Sequence, residues 1–200
     1  MIREYVNLAN ALTSGSLAAG FVALFLIFKN DDLFVVAGLV ALAAVFDALD
    51  GYAARRTGND EGDGGEFGGN LDSLADVVSF GAVPAFAIYW GSLYALPVVG
   101  LIVCLVFFLC GAWRLARFSL YKHPLYFVGF PIPAVGMLVA LLAALLAITG
   151  PYPFLALPVV LVLSFLMVCA LPFPTLSGLR NREELAEEVE EYRQTRRAEG

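Results

Sequence analysis

The stretch LFVVAGLVALAAVFDALDGYAA, residues 33–54, decides the fold. From Leu33 to Phe46 it carries no charged side chain, and then Asp47 and Asp50 appear within one helical turn. An apolar run of this kind suits a helix that crosses the hydrocarbon layer, for which about 20 residues are needed. Carboxylates at the end of such a helix are costly unless they face a partner, an ion or the bundle interior.

Working outward, five further segments have the same character, at residues 10–28, 71–90, 96–118, 130–148 and 152–171. Breakers separate them: the polar residues 29–32, the glycine-rich stretch 58–69, Gly91 and Ser92, residues 122–124, and residues 150–153. The chain is 60% hydrophobic and 15% charged, with a mean hydropathy of +0.80, more than a soluble core of this size requires. The expected fold is all-α, an integral membrane bundle of six transmembrane helices. The apolar start, residues 12–28, is expected to stay as a membrane helix, because no small-residue cleavage site leads into a polar mature domain.

Six spans put both termini on one side. When helix-end residues are assigned to the nearer loop, every Lys and Arg except Lys29 falls on that side, so the termini and the 58–69 loop are expected to face the cytoplasm of a multi-pass cell-membrane protein. Residues 1–179 read as the membrane domain and 180–200 as a charged cytosolic tail. Glu183, Glu184, Glu187, Glu188, Glu190, Glu191 and Glu199 supply seven of the 18 acidic residues, so the net charge of -6 describes a solvated end and not a binding surface. Nucleic acid is not an expected partner. Cys104, Cys110 and Cys169 lie in apolar runs without metal-ligand spacing, which argues against zinc or a disulfide framework.

Four aspartates carry the chemistry. At about 100° per residue, Asp50 lies about 60° from Asp47 on the helical wheel and Asp76 about 40° from Asp72. Each pair shares a face, the two helices are consecutive and antiparallel, and both pairs sit near one boundary. Asp47, Asp50, Asp72 and Asp76 can therefore converge across one cleft, where four carboxylates need a compensating cation. Oxygen ligands suit Mg²⁺ or Mn²⁺. Gly51 and Ala54 share the Asp47 face and Gly68 the Asp72 face, leaving room for a bulky ligand. Arg55 is placed to meet a phosphate oxygen, and Ser79, on the Asp72 face, to donate a hydrogen bond. Arg114 and Arg117 share a face at the same boundary. They read either as a clamp for a carboxylate or phosphate or as snorkelling anchors. Pro131 and Pro133 are expected to shape the entry to the fifth helix.

Asp47-x-x-Asp50-Gly51-x-x-Ala54-Arg55, followed by Gly68-x-x-x-Asp72-x-x-x-Asp76, resembles the signature of the CDP-alcohol phosphatidyltransferases at every fixed position. The intervening spacer, 56–67, is longer than the family's usual one, so its acidic centre looks like a small flexible insertion. Asn10 and Thr13 resemble the family's amino-terminal N-x-L-T, although Ala9 stands where many relatives have proline. Residues 71–81 with Pro84, 114–118 and 129–133 are similar to the serine-using branch, the CDP-diacylglycerol–serine phosphatidyltransferases and their archaetidylserine-forming counterparts.

The resemblance implies that Asp47, Asp50 and Asp72 hold the metal and Asp76 is the general base. It implies that Gly51, Ala54, Arg55 and Gly68 contact the nucleotide and phosphates. Its implied partners are CDP-diacylglycerol, L-serine and membrane lipids, in a homodimer. Glycerol 3-phosphate or inositol phosphate as acceptor, an archaeol-based donor, and a cation-coupled transporter remain the alternative readings.

Overall fold

The computed structural model describes residues 7–29, 32–57, 62–118, 126–128, 130–169, 172–174 and 190. Helix α1 (Leu8–Phe28) is capped by Asn7, whose Oδ1 accepts from the Asn10 N–H at 2.7 Å. Helix α2 (Leu33–Thr57) starts after Asp32, whose Oδ1 accepts from the Phe34 N–H at 2.8 Å. These short polar side chains satisfy donors that a helix start leaves open.

The third apolar segment is one long helix in three parts: α3 (Gly62–Asp76), a wide π-helical turn (Val77–Ala82) and α4 (Val83–Gly91). Leu93–Ala95 form a 3₁₀ turn, followed by α5 (Pro97–Phe118), α6 (Ile132–Thr149) and α7 (Pro153–Val168). Among the described residues, five of the apolar segments are long enough to cross a membrane, and α7 is a shorter sixth. The chain is a multi-pass membrane protein.

Three details differ from the sequence reading. Helix α3 starts at Gly62, well inside the stretch expected to be a loop. Glycine weakens a helix by about 1 kcal/mol per residue, which is why residues 62, 64, 65, 68 and 69 read as a loop by propensity. Helix α7 ends at Val168, short of residue 171, and Tyr126–Val128 (β1) pairs antiparallel with Pro172–Pro174 (β2). Two prolines in three residues suit an isolated two-stranded ladder, because they donate nothing to it. As expected, Pro131 caps α6 and Pro133 occupies its first turn.

Many large apolar side chains face outward, and the interior combines small residues with a few large ones such as Phe80 and Phe107. Phe21, Phe25, Val98, Leu101, Phe154 and Phe165 are exposed, while Ala19, Ala23, Ala43, Ala140, Ala143 and Ala144 are buried. With no water to exclude between helices, close backbone approach is what holds them together. A Cβ on Gly91 would come within 2.6 Å of the Ala143 carbonyl oxygen, and one on Gly111 within 2.7 Å of Ile132. Helix α1 lies along α2 and also meets α3, while α6 packs on α4 and α7 on α5. The α1 start, the α2 end, α3 and the α5 end therefore share one end of the bundle.

Candidate active site

Helices α2 and α3 bring three of the four aspartates into one cluster. One carboxylate oxygen from each of Asp47, Asp50 and Asp72 lies within 4.8 Å of the others. Asp76, one turn deeper, feels the field of Asp47 and Asp72 but stands apart from the trio. It is 6% exposed, and its Oδ1 has no hydrogen-bond partner among the described residues. A buried carboxylate oxygen without a partner is costly, and this one lies beside the three gathered carboxylates.

Helix α1 supplies the next layer. Thr13 Oγ1 donates to Asp50 Oδ2 at 2.5 Å and also lies 3.0 Å from the Ala9 carbonyl. Asn10 is buried, and a Cβ added to Gly68 would sit 3.0 Å from its Oδ1, so these two residues face each other. Gly51 and Ala54 are half-buried on the turn of α2 after the aspartates. The side chain of Arg55 and the residues Lys122 and His123 lie outside what the structure describes.

Ser79 does not join this group. Its hydroxyl donates to the Ser16 carbonyl at 3.0 Å and ties the wide turn to α1. A seven-residue spacing keeps two side chains on one face only in an unbroken α-helix, and the turn beginning at Val77 breaks that register.

The two arginines of α5 also diverge. Arg114 is 8% exposed and lies within electrostatic reach of Asp76 and Asp47. Arg117 donates to the Val168 carbonyl at 3.4 Å and the Cys169 carbonyl at 3.5 Å, taking up carbonyls that the end of α7 leaves open. Both border a cleft of about 400 Å³ completed by Trp113, Ala116 and Val168. Trp113 and Val168 were not among the expected site residues, since an apolar side chain in an apolar run gives no local signal.

The trio fits a hard divalent cation. Oxygens bound at about 2.1 Å lie at most roughly 4.2 Å apart, so the observed spacing needs only a small side-chain adjustment. The donor set is all carboxylate oxygen, with no Cys or His in the cluster, which suits Mg²⁺ or Mn²⁺ over softer metals.

A multi-pass helical bundle that gathers carboxylates of two consecutive helices at one end, with a buried carboxylate and a guanidinium in electrostatic reach, has a donor set that suits a divalent cation. The chain matches the CDP-alcohol phosphatidyltransferase family over residues 6–174 and belongs to it. It is 38% identical over 137 residues to the CDP-diacylglycerol–serine O-phosphatidyltransferase of Methanocaldococcus jannaschii, an alignment covering 68% of this chain and 60% of that protein. It is 32% identical to the archaetidylserine synthase of Methanothermobacter thermautotrophicus, over 89% of this chain and 74% of that protein. The Bacillus subtilis CDP-diacylglycerol–serine O-phosphatidyltransferase is 32% identical, over 82% of this chain and 87% of its own length.

Proposed function

We propose that this chain transfers the phosphatidyl group of CDP-diacylglycerol to the hydroxyl of L-serine, forming phosphatidylserine and releasing CMP. The observation that carries the reading is the meeting of Asp47, Asp50 and Asp72 beside the buried, unpartnered oxygen of Asp76. Serine is the acceptor in the names of the M. jannaschii and B. subtilis relatives. The archaetidylserine synthase among the relatives supports a second donor, an archaeol-based CDP-lipid, for the same site.

Asp47, Asp50 and Asp72 are the residues that would hold Mg²⁺ or Mn²⁺. When bound, the cation supplies charge neutralisation at the pyrophosphate as CMP leaves. Asp76 accepts the proton of the serine hydroxyl as that oxygen bonds to phosphorus and the phosphorus–oxygen bond to CMP breaks. Thr13 orients Asp50. Gly51, Ala54 and Gly68 leave space for the nucleotide, Asn10 lines it beside Gly68, and Arg55 contacts phosphate. Arg114 holds the serine carboxylate, since a guanidinium can bind a carboxylate bidentately and this one is within electrostatic reach of Asp76. Arg117 serves the end of α7 instead.

The acyl chains stay in lipid while the polar groups react at the membrane boundary. The clustering of Lys and Arg on the side of the termini supports a cytoplasmic active site, and the family resemblance supports a homodimer. Purified protein given CDP-diacylglycerol and labelled serine, glycerol 3-phosphate or inositol phosphate tests the reading. Release of CMP that depends on serine and on Mg²⁺ or Mn²⁺ is expected. Faster transfer to a phosphorylated acceptor, or cation transport without a lipid product, would contradict it.

A further inference from the structure

Asp76 is the last residue of α3, and the wide turn Val77–Ala82 starts immediately after it. A wide turn holds one residue more than an α-turn, so the helix beyond it is rotated by about 100° relative to an unbroken helix. The cause lies one turn on, at Pro84. Proline has no N–H to give the carbonyl four residues earlier, here Phe80, and its ring clashes with that carbonyl. The Val83 N–H accordingly bonds five residues back, to the Val78 carbonyl.

The displaced backbone at Phe80 meets α6 at Gly136. A Cβ there would lie 2.7 Å from the Phe80 carbonyl oxygen and 2.8 Å from the Phe80 Cβ. Only a residue without a side chain lets α6 sit against the wide turn. Beyond the turn, α4 is fixed by Gly91 against the Ala143 backbone, and the turn itself is fixed by the Ser79 bond to Ser16. The α4 side is thus held on two neighbours, so a change in the turn is expected to pass into α3, which carries Asp72 and Asp76 toward or away from Asp47 and Asp50.

We infer that Pro84 and Gly136 are positioning residues for the reaction: by imposing and accommodating the wide turn, they set the rotation of α3 that brings Asp72 and Asp76 to the aspartates of α2. This rests on the reading of the aspartates given above. Neither residue touches the site, and both act through the backbone of Phe80.

The test compares full-length wild type, Pro84→Ala and Gly136→Ala in nanodiscs, with Mn²⁺ binding read by electron paramagnetic resonance beside steady-state transfer to serine. Both variants should bind Mn²⁺ roughly tenfold more weakly, the usual scale for losing support of a metal ligand. Their kcat should fall roughly a hundredfold, the scale of a misplacement of about 1 Å, with the thermal midpoint of Pro84→Ala close to that of wild type and that of Gly136→Ala lowered by the 2.7 Å approach to the Phe80 carbonyl oxygen. Unchanged Mn²⁺ affinity and kcat would overturn the inference. So would a lowered midpoint with unchanged constants measured below it, because that is a packing role alone. Pro84→Ala adds no bulk and decides the matter by itself if Gly136→Ala does not fold. A wild type that binds Mn²⁺ but moves no phosphatidyl group would refute the functional reading, and the Mn²⁺ measurements would still decide the positioning claim.

Discussion

Thr13→Val replaces a hydroxyl by a methyl of similar size and removes the 2.5 Å bond to Asp50 Oδ2, together with the 3.0 Å contact to the Ala9 carbonyl of its own helix. Thr13 is 3% and Asp50 7% exposed, so water cannot replace the lost donor. A hydrogen bond to a charged group contributes about 1.5–3 kcal/mol, which corresponds to roughly ten- to a hundredfold in an equilibrium constant. The same range is typical when a residue that orients a metal ligand is removed. Mg²⁺ titration of serine transfer should therefore show half-saturation shifted up by that factor in Thr13→Val, with turnover largely restored at saturating Mg²⁺. Thr13→Ser keeps the donor and should behave nearly as wild type. An unchanged Mg²⁺ half-saturation in Thr13→Val would refute the claim that α1 helps to build the cation site.

Arg114→Lys should raise the KM for serine by roughly ten- to a hundredfold while sparing that for the CDP-lipid, because lysine cannot reproduce a bidentate carboxylate contact; steady-state kinetics with each substrate varied checks this. Deleting residues 60–63 should leave activity within a few-fold, since it takes only the first two residues from α3 and leaves the helix from Gly64 to Asp76 unchanged; total loss in a folded variant would bring the acidic segment into the site. Gly20→Ala should destabilise the protein by about 1–3 kcal/mol through overpacking, because its Cβ would lie 3.0 Å from the Ser79 Cα; thermal unfolding in detergent reads this out.

The helices and the aspartate trio were legible because the membrane makes both signals local. A long apolar run has few stable solutions, and carboxylates within it stand out without any knowledge of the partner helix. What sequence spacing could not show depends on distant contacts or on an unbroken helix. The role of Arg117 is set by the end of α7, 51 residues away in sequence. Ser79 was expected on the Asp72 face because a regular α-helix was assumed, and Pro84 signalled otherwise only through the carbonyl it displaces. The glycines at 62–69 read as a loop by propensity, yet the segment is helical from Gly62, and Gly68 meets Asn10 where a larger residue would crowd it. The β1–β2 ladder, three residues a side with two prolines, lies below what alternation can detect.

The proposed reaction divides the work: Asp47, Asp50 and Asp72 hold the cation while Asp76 takes the proton. Asp76→Asn keeps the shape of the side chain but cannot accept that proton. Its Mn²⁺ and CDP-diacylglycerol affinities and its single-turnover rate of transfer to serine should be measured on one preparation beside Asp47→Asn. The account predicts near wild-type binding with transfer abolished in Asp76→Asn, and weakened Mn²⁺ binding in Asp47→Asn. Near-normal transfer by Asp76→Asn at saturating substrate would contradict it.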